Sequence, residues 1–182
     1  MKKSLVLASL LLASSSVMAS EYFVGADLVR ADSSLKGSYT INGTSVSASD
    51  SDSDTVINFK FGMVDNNNRY YVKTGYLYEG TYIDYYSTTL NYDKLLESVN
   101  GYTPFIGAHF GRGTLEILGA ETTGNEYGIQ AGAIRNLENG ELEFGFRYSN
   151  ASAKFSVTSG ADSATLEAES GTALYVGYNY KF

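Results

Sequence analysis

The sequence predicts an all-β protein: an eight-stranded, antiparallel, up-and-down transmembrane β-barrel. Three observations point there. The chain of 182 residues carries 16 Tyr, 9 Phe and 19 Gly but one Pro; aromatics favour strands, and Tyr and Gly do not favour helices. Segments of about ten residues with strict two-residue alternation recur along it, as in a strand with one apolar and one polar face. The segments between them are long and short by turns.

The N-terminus stands apart. Lys2 and Lys3 precede an apolar run from Leu5 to Leu12, then small residues, then Val17-Met18-Ala19. This is the three-part form of a secretory signal peptide cleaved after Ala19. The run is too short for the about 20 apolar residues of a spanning helix. Residues 1–19 are therefore assigned to a signal peptide and 20–182 to one barrel domain. In that domain eleven Lys and Arg stand against 20 Asp and Glu, a formal charge of −9. Such a chain lacks the basic surface that nucleic-acid binding needs. With no Cys, a secreted domain of this size needs a source of stability other than disulfides. Nothing after Ala19 has the apolar length of a spanning helix, so a membrane can be crossed only by a closed barrel, in which every backbone hydrogen bond is made.

The strands follow in order. In "YFVGADLVR" (22–30) Val24, Ala26 and Leu28 share one face, Gly25 and Asp27 the other. In "TVINFKFGM" (55–63) Ile57, Phe59, Phe61 and Met63 alternate with Asn58, Lys60 and Gly62. In "RYYVKTGYLY" (69–78) Tyr70, Val72, Tyr76 and Tyr78 oppose Tyr71, Lys73 and Gly75. "STTLNYDKLL" (87–96) is the least regular: Leu90, Tyr92 and Leu96 fit one face, and Lys94 interrupts it, which a bulge or strand end would explain. In "TPFIGAHFGR" (103–112) Ile106, Ala108 and Phe110 oppose Gly107, His109 and Gly111. In "NEYGIQAGAI" (125–134) Tyr127, Ile129, Ala131 and Ala133 oppose Glu126, Gly128, Gln130 and Gly132. In "ELEFGFRYS" (141–149) Leu142, Phe144, Phe146 and Tyr148 oppose Glu143, Gly145 and Arg147. In "TALYVGYNYKF" (172–182) Leu174, Val176, Tyr178, Tyr180 and Phe182 oppose Tyr175, Gly177, Asn179 and Lys181.

The connectors 31–54, 79–86, 113–124 and 150–171 are longer and polar. "VDNNN" (64–68), "ESVNGY" (97–102) and "RNLENG" (135–140) are short and rich in Asn and Gly, as tight turns require. Long external loops and short periplasmic turns are the habit of outer-membrane barrels. Further pairing within 31–54 and 150–171 would raise the strand count to ten.

The two faces then need a side each. With the apolar face inside, more than a dozen aromatics would crowd an interior that eight strands make only wide enough for side chains to fill. With the apolar face toward lipid, Tyr falls at the rims, its ring in lipid and its hydroxyl in water. The interior then holds Asp27, Lys60, Lys73, Glu126, Glu143 and Arg147. Both signs are present, and unpaired buried charge is costly, so the expectation is a connected salt-bridge network that plugs the barrel. The alternative is the lining of a narrow pore.

"YVGYNYKF", with Tyr178, Tyr180 and Phe182, resembles the C-terminal assembly signal of bacterial outer-membrane barrels. "TPFIGAHFGRG" and "YFVGADL" resemble strands of the small OmpA/OmpX-like family of outer-membrane barrels. The resemblance implies residence in a Gram-negative outer membrane, with lipid and lipopolysaccharide around the barrel and the barrel-assembly machinery as partner during biogenesis. It implies structural support, adhesion, immune evasion or small-solute passage as the range of roles.

His109 is the only histidine. Membrane-embedded barrel enzymes need a catalytic His with an activated Ser and an orienting acid; the strand faces place no Ser beside His109, which reads as an interior hydrogen-bonded residue. Asp50, Asp52 and Asp54 in "SASDSDSDT" (47–55) resemble the start of a calcium loop, but Thr55 stands where Gly is needed and Phe61 where the bidentate Glu belongs, so a solvated acidic loop is the reading. Tyr82, Ile83, Tyr85 and Tyr86 in "EGTYIDYYSTT" (79–89) form either an aromatic contact loop or the upper wall of the barrel, the wall being favoured. "KFSVTSGADSATLEAE" (154–169) reads as a hairpin beyond the membrane. No phosphate-binding glycine motif and no metal-ligand spacing appears, so no cofactor, metal or catalytic residue is expected. The function expected is that of a small structural or surface-exposed protein whose loops meet a host or surface ligand. The alternatives are a narrow pore, a lipid-modifying enzyme, and a soluble ligand-binding barrel with every face reversed.

Overall fold

The computed structural model describes residues 20–42, 44–78, 83–117, 120–160 and 162–182; residues 1–19, expected to be a signal peptide, and Tyr82 lie outside them. Among the described residues the chain forms nine strands: β1 (Glu21–Ile41), β2 (Thr44–Asp65), β3 (Asn68–Tyr78), β4 (Ile83–Leu95), β5 (Tyr102–Ile117), β6 (Ala120–Leu137), β7 (Gly140–Ala151), β8 (Lys154–Ser159) and β9 (Asp162–Lys181). Every pairing is antiparallel. Strands β1 to β7 follow one another around the wall, β9 pairs with β7, and β9 pairs with β1 to close an eight-stranded barrel. Closure leaves no unpaired edge around the wall.

The turns explain one end of the barrel. Asn66 (φ 53°) turns β2 into β3, and Asn100 (φ 53°) with Gly101 (φ 80°) turns β4 into β5. Left-handed backbone suits Asn and Gly. At the same end the last strand meets the first: Phe182 N–H donates to Tyr22 O at 3.0 Å, and the two rings stack at 6.4 Å.

The opposite end differs from the sequence reading. Segment 31–54 is not a loop. Strands β1 and β2 run through it in unbroken register from Glu21 opposite Val64 to Ile41 opposite Thr44. Likewise β5 and β6 continue to Ile117 and Ala120, while in 150–171 the hairpin expected at 154–169 is present as β8 and the first half of β9. Most positions of these extensions are exposed or half-buried, with Leu115 and Ala153 buried beside Tyr85, Ala151 and Leu166, so apolar alternation is weak there although the ladder continues. Their cross-strand pairs are polar, such as Thr40 with Ser45 (2.8 Å) and Ser156 with Thr165 (3.1 Å). The acidic segment 47–55 is part of β2, which lacks the curvature that wraps a cation; the side chains of Asp50 and Asp52 lie outside the described residues. Strand β8 is a ninth strand but pairs only with β9, so beyond the barrel β2, β1, β9 and β8 form a sheet of four. Tyr85 and Tyr86 belong to β4, in the wall. Lys94 sits next to the end of β4, exposed, with its Nζ 3.4 Å from Asn68 Oδ1.

The outer wall is apolar. Leu28, Ile57, Phe59, Leu90, Ile106, Phe110, Ile129, Phe146 and Leu174 are all exposed. Rows of Tyr flank this belt: Tyr70, Tyr92, Tyr178 and Tyr180 near the short turns, Tyr76, Tyr86, Tyr127 and Tyr148 toward the long hairpins. In the first row Tyr92 O–H donates to Asn68 Oδ1 (3.0 Å) and Tyr178 O–H to Asn139 O (3.2 Å). Rings in the apolar belt with hydroxyls at its edge are the aromatic girdle of a membrane barrel.

Candidate functional site

The interior divides into two storeys. The half nearer the short turns is a plug of charged side chains. Arg69, from β3, is fully buried. Its Nε and Nη2 donate to Asp93 Oδ2 (2.9 and 2.6 Å), while Nη1 and Nη2 donate to Glu143 Oε2 and Oε1 (2.9 and 3.0 Å). Lys60 Nζ sits 2.6 Å from Asp27 Oδ1 and 2.8 Å from Glu143 Oε2. Asn179 Nδ2 donates to Glu143 at 2.9 Å, and Gln130 Nε2 donates to Tyr71 Oη at 2.7 Å and to Asp93 Oδ1 at 2.5 Å. Phe23, Tyr71 and Phe105 surround the Arg69 guanidinium with ring centroids at 5.9, 5.2 and 4.9 Å. Each strand of the wall supplies at least one of these groups, so the network ties the barrel together across its axis.

Glycine makes room for it. A Cβ at Gly107 would collide with the Asp93 carboxylate and the Tyr92 carbonyl, and one at Gly145 with the Tyr175 ring. Large inward side chains lie across the glycines of the neighbouring strand, which is how so narrow a lumen holds so many.

Above the plug lies a chamber of about 170 Å³, lined by residues from all eight barrel strands, among them Val29, Val56, Lys73, Leu115, Glu126 and Arg147. Arg147 donates to Gln130 Oε1 from Nε (3.1 Å) and Nη2 (2.5 Å), and from Nη2 to Asn91 Oδ1 (3.1 Å). Glu126 accepts from the Tyr85 hydroxyl at 2.9 Å. Lys73 is 6 % exposed and lies opposite Lys60 in the β2–β3 register.

Asp27, Lys60 and Glu143 are thus joined directly by ion pairs, and Arg147 reaches the plug indirectly, through Gln130 and Asn91. Glu126 and His109 lie together higher up, with Glu126 Oε1 3.8 Å from His109 Nε2. Lys73 joins no ion pair among the described residues. The sequence reading missed Arg69 and Asp93, the centre of the plug, and Ser149. The Ser149 hydroxyl stands 3.1 Å from His109 Nε2, where no Ser was expected. The signal for Ser149 was its position two residues after the inward Arg147, which puts it on the same face.

This arrangement of groups is not that of a nucleophilic triad. A Ser–His–acid relay needs the acid on Nδ1 and the Ser on Nε2. Here both Ser149 and Glu126 lie at Nε2, and the buried Nδ1 has no partner among the described residues.

Apolar belt, tyrosine girdles, charged plug and one-sided hairpins define the class: a small eight-stranded transmembrane barrel of the outer-membrane type. Known structures place the fold more narrowly. The chain resembles Neisserial surface protein A (18% identity, 88% of this chain and 97% of that one, TM-score 0.60). It resembles outer membrane protein H, OprH, of P. aeruginosa (24%, 89% and 99%, TM-score 0.57) and the outer membrane protein OprG of Pseudomonas aeruginosa (15%, 90% and 96%, TM-score 0.63). Identities this low establish the fold and nothing finer. No protein-family model and no curated protein matches the chain.

Proposed function

We propose that the chain is a non-enzymatic integral protein of a Gram-negative outer membrane. Its barrel is an anchor, and its long hairpins present a polar surface to ligands outside the cell. The observation that carries this reading is the asymmetry of the two ends: tight Asn- and Gly-rich turns at one, and at the other the β1–β2 and β8–β9 hairpins projecting past the tyrosine girdle. In this reading residues 1–19 direct export and are removed. The barrel-assembly machinery reads the last strand through Tyr178, Tyr180 and Phe182, which share the exposed face. Lipid and lipopolysaccharide surround the belt. The absence of an acid at His109 Nδ1 among the described residues supports a role without catalysis, and the filled lumen around Arg69 supports a role without conduction.

Trypsin added to intact cells tests the orientation. Lys36 and Lys154 lie in the hairpins and are exposed, so cleavage there, with the barrel protected, is the expected result. Cleavage only after the cells are permeabilised would overturn the reading. In planar bilayers the plugged barrel is expected to give no discrete conductance; reproducible steps would favour a pore.

A further inference from the structure

Two cations in the chamber lack what the plug gives its own. Lys60 touches two carboxylates and Arg69 three, counting Glu141 at 3.8 Å. Among the described residues Arg147 donates to the neutral oxygens of Gln130 and Asn91 and lies 6.0 Å from the Tyr175 ring centroid, with no carboxylate in ion-pair distance. Lys73 has less: it is 94% buried, no carboxylate lies within ion-pair distance of it, and no hydrogen bond reaches it among the described residues. Its register neighbours are Lys60 and Thr89, and Lys60 is already engaged. A buried ammonium without a partner is costly. Lys73 lines the chamber, as does Arg147.

We propose that the chamber is a binding site for a small organic monocarboxylate, held at its carboxylate by Lys73 and Arg147 and at its apolar end by Val29, Val56 and Leu115. Charge-assisted bonds to a carboxylate supply both cations with the charged acceptor that they lack among the described residues. The apolar part of the lining gives a short alkyl or aryl chain a dry surface. At about 170 Å³ the space sets a small ligand. Glu126 shares the chamber, and Asp32 and Glu169 line it on the hairpin side. A second carboxylate, away from the two cations, would face these three acidic groups, so the site selects monoanions over dianions. This inference stands apart from the surface role of the hairpins and survives if that role fails.

The test is calorimetric titration of the folded full-length domain in detergent micelles with butyrate, with succinate and butyramide as comparison probes. The expected result is saturable butyrate binding, weaker by about tenfold or more for butyramide, the change expected when a bond to a charged group is lost, and weaker for succinate because its second carboxylate faces the acidic lining. Lys73→Met is expected to abolish it and Lys73→Arg to retain it. Ala173→Leu, which fills the chamber and leaves both cations in place, is also expected to abolish it and decides the matter if Lys73→Met does not fold. Each variant is scored only in the fraction that keeps the folded mobility in cold SDS. No saturable butyrate binding, equal binding of butyramide, or unchanged binding in Lys73→Met or Ala173→Leu would overturn the proposal.

Discussion

Arg69 puts its entire side chain out of water and spends four donor contacts on Asp93 and Glu143. Removing one member of a buried ion pair leaves the other charged and unpaired, at a cost of about 3–5 kcal/mol. Arg69→Ala is therefore expected to lower the unfolding free energy in urea, measured in lipid vesicles, by about that amount. Lys73→Met, which removes a cation that has no such partner, is expected to leave stability unchanged or raise it. A large loss in Lys73→Met would mean that its charge is satisfied within the barrel. The contrast also marks where single residues were legible in the sequence. Asp27, Lys60 and Glu143 stood inside clean alternation. Arg69 is in phase with Tyr71 and Lys73 but is the first position of its segment, where phase has one neighbour to rest on. Asp93 stands beside Lys94, whose outward charge hid the alternation that placed Asp93 inward.

At the scale of the strand, what a substitution costs depends on its depth along the ladder. Phe59 is in the middle of the lipid-facing part of β2, opposite Ala26 and Thr74, while Val46 of the same strand is in the hairpin opposite Tyr39. Both are exposed. Phe59→Arg is expected to destabilise the barrel by about 2–4 kcal/mol, the cost of a cation in mid-bilayer. Val46→Arg is expected to change it by less than about 0.5 kcal/mol, as on a wet surface. Urea titrations in vesicles check both, and equal effects would contradict the placement of the membrane at the belt. The membrane-spanning part of each strand was legible because lipid on one side and a polar plug on the other force a two-residue period. Strand length was not. Beyond the girdle most positions are exposed or half-buried, the period weakens, and Ser, Thr and Asp spell a loop while the backbone continues as a ladder. The hairpin of β8 and β9 was legible all the same, because Phe155, Val157 and Leu166 keep a trace of alternation across 154–169.

For the molecule as a whole, the direction of the faces decides everything else. An interior of Asp27, Lys60, Arg69, Asp93 and Glu143 and an exterior of Leu28, Phe59, Ile106 and Ile129 is the reverse of a soluble protein. Only a lipid exterior makes that arrangement stable, and only a closed ladder makes it possible in lipid. Composition pointed to this before any strand was drawn, because 25 Tyr and Phe are too many for the inside of eight strands and fit naturally around the outside.

The measurement that tests this most directly is the mobility of the purified protein in SDS, unboiled against boiled. A closed barrel keeps its ladder in cold SDS and unfolds on heating, so two distinct mobilities are expected from the membrane fraction. A single mobility, with the protein recovered in the soluble periplasmic fraction, would contradict the account and put the apolar face inside.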